Sequence, residues 1–183
     1  MTPEEFRQIY QANFELVWRM LVRLGVHESD ALDQAQQVFL TAHLRLQSFE
    51  GRSQLRTWLC GICKCLASDY RRTARYRREV LRATPELDLL VFGDDGTDNA
   101  PASKRLAEVI LDKLPEKQRI VFVLFELEEM HGHEIAALLE ISIGTVRSRL
   151  RLARAAFARE VKRRAVRGAT YVESSLHARI GSS

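Results

Sequence analysis

Residues 133–157 read HEIAALLEISIGTVRSRLRLARAAF. A short apolar helix, a break at Ile141–Ser142 and a longer basic helix follow one another in this stretch. The set Ile135, Ala136, Leu139, Ile141, Val146 and Leu150 is spaced as in a helix–turn–helix, whose second helix enters the DNA major groove. At about 100° per residue, Val146, Leu150, Ala153 and Phe157 share one stripe of the second helix. The opposite side carries Gly144, Arg147, Ser148, Arg151 and Ala155. Small residues there permit close approach, and the arginines can reach guanine edges or phosphates. Arg149 and Arg154 lie at the flanks and suit phosphates. A plain helical hairpin with a solvated basic face is the bland alternative. Glu140 stands where the turn would favour glycine.

Working outward, Pro115 opens a helix carrying Ile120, Val121, Val123, Leu124 and Leu127, expected to stop around His131–Gly132. This helical unit begins near Ser103. Before it, TPELDLLVFGDDGTDNAPAS (84–103) holds two prolines, two glycines, five acidic residues and no basic one. It reads as a linker without a stable fold of its own, although LDLLVF is apolar enough to dock on a neighbour.

The N-terminal part is also helical. Thr2 and Pro3 make a cap-then-proline start, and Phe6, Ile9, Tyr10, Phe14, Val17 and Leu21 recur at helical spacing until Gly25. Ser29 or Asp30 caps a second helix with apolar positions Leu32, Ala35, Val38, Phe39 and Ala42. Ser53, after the loop SFEGRS, caps a third helix running to about Val80.

That third helix contains QLRTWLCGICKCLASDYRRTAR (54–75), which holds all three cysteines. Leu55, Leu59, Ile62, Leu66 and Tyr70 form a core stripe, while Lys64, Ser68, Arg71 and Arg75 make an opposite face, basic and exposed. Cys60 and Cys63 lie about 60° apart, but Cys65 is roughly 140° and 160° from them, so three thiolates cannot converge on a tetrahedral metal. Cys63 and Cys65 flank the core stripe, where free cysteine behaves as a small apolar residue. A partial site of Cys60 and Cys63 with His131 or His133 is the metal alternative, and a thiol sensor the redox one. Asp69 reads as an intrahelical ion partner.

The fold class expected is all-α: two small helical domains joined by an acidic linker, the C-terminal one a helix–turn–helix. The net charge is only +4, but its distribution is uneven. Lys64–Arg82 has seven basic and two acidic residues, and Gly144–Gly168 has nine basic and one acidic. Two basic patches on amphipathic helices, separated by an acidic stretch, point to two contacts with a polyanion. MTPEEFRQIY lacks the pattern of a signal peptide, and no run approaches the length of a membrane span. Three clustered cysteines suit a reducing cytosol. No paired carboxylates, phosphate loop or activated nucleophile point to an enzyme, and nothing demands a cofactor.

Three blocks in order, DALDQAQQVFLTAH, RTWLCGICKCLASDYRR and LPEKQRIVFVLFELEEMHGHEIAALLEISIGTVRSRLRLAR, resemble bacterial sigma factors of the extracytoplasmic-function (ECF) type in the sigma-70 family. The resemblance covers about residues 5–83 and 104–160. It implies a promoter-melting and minus-ten-reading domain over 1–83, an acidic linker over 84–103, and a minus-thirty-five-reading domain over 104–164. Residues 165–183 form a tail without counterpart in the minimal pattern, either disordered or regulatory.

The roles implied are specific. Asp33, Gln36, Gln37, Phe39 and Leu40 would dock on the clamp helices of RNA polymerase core. Phe49, Gly51, Arg52, Ser53, Arg56 and Cys65 would belong to minus-ten reading, where a flipped base discriminates sequence. Lys64, Ser68, Arg71, Arg72 and Arg75 would face the melted strand, and Trp58 would stack on a base or fill the core. Gly144, Thr145, Arg147, Ser148, Arg149, Arg151 and Arg154 would meet the minus-thirty-five duplex while the same domain binds the polymerase flap. The linker would thread the polymerase cavity, and an anti-sigma factor is the implied inhibitory partner, holding the chain at the membrane without insertion. Cys65 stands where the family commonly has asparagine, and Gln37 where it has a carboxylate. The competing reading is a stand-alone helix–turn–helix regulator, which would bind specific duplex without polymerase.

Overall fold

The computed structural model describes residues 2–46, 54–83 and 102–180, with side chains over 2–46, 54–74 and 106–164. Seven helices and no strand occur among them. An N-terminal bundle holds α1 (Pro3–Arg23), α2 (Glu28–Arg45) and α3 (Leu55–Ala83). A C-terminal bundle holds α4 (Ala102–Lys113), α5 (Glu116–Phe122), a π turn (Val123–Leu127), α6 (Gly132–Leu139) and α7 (Ile143–Ile180).

Local chemistry sets the helix ends. Thr2 caps α1 in a capping box with Glu5, the Glu5 N–H donating to Thr2 Oγ1 (3.2 Å) and the Thr2 N–H to Glu5 Oε2 (2.7 Å). Gly25, at φ +92°, closes the helix. Val26 N–H reaches back to Leu21 O (3.0 Å) and Gly25 N–H to Val22 O (2.9 Å), the paired bonds of a left-handed helix end. The second cap differs from expectation. His27 caps α2 by accepting from the Ser29 N–H, while Asp30 accepts from the Tyr70 hydroxyl (2.7 Å) and ties α2 to α3. The expected cap Ser53 lies outside the described residues.

The buried side of α2 follows its apolar spacing except at Leu32. Ala31, Ala35, Val38, Phe39 and Ala42 are buried against Val17, Met20 and Leu21 of α1, whereas Leu32 is 50% exposed. An alanine interior lets the two helices approach closely, and each fully buried Leu or Met contributes about 1.5–3 kcal/mol.

In the C-terminal bundle, Pro115 starts α5 as expected, but the helix ends earlier than His131. The π turn widens it, the Glu128 N–H bonding Val123 O (3.0 Å), and Glu129 then takes φ +55°. Glu140 takes φ +53° at the end of α6. Both are side chains in a conformation that costs an L-residue about 1–2 kcal/mol and costs glycine nothing. Tail residues up to Ile180 continue α7 without a break, so the expected boundary at 164 falls inside one helix.

Candidate nucleic-acid interface

The reading helix is built from its turn outward. Ser142 caps α7, its Oγ accepting from the Thr145 N–H (3.1 Å) and lying 2.9 Å from Thr145 Oγ1. Val146, Leu150 and Ala153 are buried, and Phe157 stacks on Phe122 at 5.0 Å between centroids. This fixes the rotation of α7. Gly144, Arg147, Ser148, Arg151 and Ala155 therefore project outward together, as the spacing required. The flanking arginines behave differently. Arg154 donates from Nε to Glu126 (2.5 Å) and lies over the Phe125 ring at 5.4 Å. Arg149 is half-buried and lines a cleft of about 750 Å³ with Lys64, Glu116, Lys117 and Leu139.

The α3 face corrects an expectation. Lys64 and Ser68 are half-buried because the C-terminal bundle packs over their side of α3, and Arg71 is half-buried because it reaches to the end of α1. Ser68 donates to Glu116 (2.7 Å), and Arg71 donates to Leu24 O (3.2 Å). Arg72 remains exposed beside Asp69 (3.0 Å), the intrahelical partner expected. Trp58 is half-buried against the core. Phe49, Gly51, Arg52, Ser53 and the Arg75 side chain lie outside the described residues.

Two features were not anticipated. Arg119 is 1% exposed, donating across the bundles to Leu24 O (3.3 Å) and within its own bundle to Asp112 (2.8 Å). Burial, reinforced by Arg71, pulls its pKa down to about 10. Glu128 has a fully buried side chain among arginines of the other bundle. Arg23 lies at 2.6 Å, Arg56 at 2.9 Å and Arg19 at 3.8 Å.

On α2, Asp33, Gln36, Gln37 and Leu40 are exposed on one face, joined by Leu44 at 73%. Phe39 is not part of that face. It is 3% exposed and packs on Tyr10 at 4.6 Å, supporting the face from beneath.

The cysteines divide two to one. Cys60 and Cys63 are buried and Cys65 is exposed, which corrects its expected place beside the core. No grouping of three metal-ligating side chains occurs among the described residues, and no described helix is long and apolar enough to cross a membrane. Burial pushes the Cys60 thiol up to about 12, with the Glu128 charge adding to it, and burial raises Cys63 strongly as well. A thiol reagent at pH 8 should therefore modify Cys65 quickly and the other two only as the chain unfolds. The sign for stability follows from the raised values. Both thiols stay protonated in the folded chain, so their contribution is complete below about pH 9 and is lost as pH rises towards 12. Urea midpoints from pH 8 to 10.5 should fall more steeply for the wild type than for a Cys60→Ala/Cys63→Ala variant.

Comparison with known proteins gives two family matches. Sigma-70 region 2 matches residues 9–77, and Sigma-70, region 4 matches residues 104–157. The ECF RNA polymerase sigma-E factor of Escherichia coli (strain K12) is 32% identical over 152 residues, covering 78% of this chain and 79% of that protein. The ECF RNA polymerase sigma factor SigW of Bacillus subtilis (strain 168) is 30% identical over 159 residues, covering 81% and 82%. Among solved structures, the sigma factor RpoE in complex with the anti-sigma factor NepR from Bartonella quintana has a TM-score of 0.67 at 21% identity, covering 87% of this chain and 98% of that one. CnrH in complex with the cytosolic domain of CnrY has a TM-score of 0.64 at 24% identity, covering 88% and 90%. These two share the fold.

Proposed function

The chain belongs to the ECF branch of the sigma-70 family, a transcription initiation factor that directs RNA polymerase core to promoters, and from that premise we propose how its parts divide the work. Residues 1–83 dock on the polymerase clamp helices and hold the melted minus-ten strand. Residues 104–164 read the minus-thirty-five duplex and bind the flap, and 84–103 thread the polymerase between them.

One observation carries the duplex-reading part. A capped turn and a buried stripe present Arg147, Ser148 and Arg151 together on the exposed side of α7. Arginines there can donate bidentately to guanine in the major groove. Arg154, already engaged by Glu126, acts as a pre-oriented phosphate contact rather than a reader. On α2, the mixed polar and leucine face of Asp33, Gln36, Gln37, Leu40 and Leu44 suits a protein partner, with Phe39 fixing its shape. The chain acts in the cytoplasm and performs no catalysis of its own. An anti-sigma factor is its inhibitor, a reading supported by RpoE, which shares this fold and is in complex with the anti-sigma factor NepR.

In-vitro transcription with purified bacterial core polymerase and a promoter library should give promoter-specific transcripts only when the chain is added. Specific duplex binding without polymerase, and no stimulation with it, would favour a stand-alone regulator instead.

A further inference from the structure

The side of α3 assigned above to melted DNA is closed by the chain itself. From Arg56 to Ser68 its side chains end on the C-terminal bundle. Arg56 meets Glu128, Lys64 lines the cleft with Arg149, and Ser68 donates to Glu116. Gly61 lies so close to α6 that a Cβ there would stand 2.9 Å from Leu138 Cδ1.

At the centre is an oxyanion held by three guanidiniums. Arg19, Arg23 and Arg56 come from two helices of one bundle, and the carboxylate they share comes from the other. Glu15, 87% exposed and 3.4 Å from Arg19, is the other carboxylate at this cluster. Three positive charges against these two leave positive charge in excess, and the buried Arg19 Nε has no hydrogen-bond partner among the described residues. A carboxylate and a phosphodiester are both singly charged oxyanions with the geometry a guanidinium fork accepts.

We propose that Arg19, Arg23 and Arg56 form a phosphate site for a single DNA strand, and that Glu128 occupies it in cis, latching the C-terminal bundle over the strand-holding face of the free chain. The strand competition rests on the role proposed above for α3; the latch itself does not. An interface rich in buried charge suits a reversible closure. A buried ion pair gains little net free energy over its solvated parts, so the closed and open forms can lie close together.

The test uses the full-length chain. Glu128→Gln keeps size and removes charge, and Gly61→Leu wedges α3 from α6 without touching the ion cluster. Energy transfer is measured between dyes on Leu44→Cys and Ala155→Cys in a Cys65→Ser background. Binding of a fluorescent random-sequence single-stranded DNA 12-mer is measured by anisotropy, and circular dichroism confirms retained helix. Both variants should lower transfer and bind the 12-mer about tenfold tighter, as expected when a closed population no longer taxes binding. Unchanged transfer in both would overturn the latch. Tighter DNA binding of Glu128→Gln without a change in transfer would also overturn it, since only a negative charge would have been removed. Lower transfer with unchanged DNA binding would overturn the competition and the α3 role, while the latch would stand.

Discussion

Replacing Arg147 and Arg151 together with alanine should lower transcription from a promoter with an intact minus-thirty-five element by about 100-fold or more. Each good arginine–guanine pair is worth about 1–3 kcal/mol, or roughly 5- to 150-fold, and the two sit one turn apart on the same exposed side of α7. Both are exposed and neither has an ion partner among the described residues, so no ion pair is lost and stability should change by less than about 0.5 kcal/mol. Arg154→Ala is the internal control. It breaks the Glu126 pair and should weaken all promoters alike by a smaller factor. The measurement is in-vitro transcription across a promoter series with single minus-thirty-five substitutions. If Arg147 and Arg151 read bases, each variant loses its preference at one position. A uniform loss would demote them to phosphate contacts.

Gly25→Ala should be strongly destabilising. At φ +92° any side chain is strained by about 1–2 kcal/mol, and the new Cβ would collide with Arg119 Nη1 and stand 3.0 Å from Arg71 Nη1. A long side chain can normally swing aside from such a collision. Arg119 cannot do so cheaply, because it is buried and bonded to Leu24 O and Asp112, and moving it would leave a charge without partners. A total of about 3 kcal/mol corresponds to a fall in Tm of roughly 6–12 °C for a chain of this size. Calorimetry on Gly25→Ala, Arg119→Met and the double variant separates the two causes. The collision part should vanish in the double variant while the backbone strain remains. Strict additivity would mean that the guanidinium is irrelevant to the cost.

Much of this architecture was legible from local chemistry. Thr2–Pro3, Gly25, Pro115 and the 3.6-residue period of α7 each act within a turn or two of themselves, and each is where the pattern put it. Glu140 was legible as a residue in a glycine position, but Glu129 was not, because nothing around it marks a turn. The misses share a cause. A stripe calculation assumes that a helix has one partner, and α3 has two, so Lys64 and Ser68 on its polar side are half-covered. On α2, Ala35, Val38, Phe39 and Ala42 are buried as their spacing required, and Leu32 departs from them because its neighbour Ala31 takes the inward position. The Glu128 cluster left no trace in the pattern of FELEEM, where Glu126, Glu128 and Glu129 look alike. Only the packing of two distant segments gives one of them three arginines.

The π turn determines which glutamate that is. Arg119 and Glu128 are nine residues apart, and nine steps of about 100° make two and a half turns, so an unbroken α-helix would send them to opposite sides. The extra residue accommodated in Val123–Leu127 holds back the phase by about one step, leaving the two within roughly 80° of each other. Both then address the end of α1, Arg119 at Leu24 O and Glu128 at Arg23. A five-residue irregularity thus works as a gear between two stretches of one rod, letting a cation and an anion that a regular helix would set back to back grip the same neighbour.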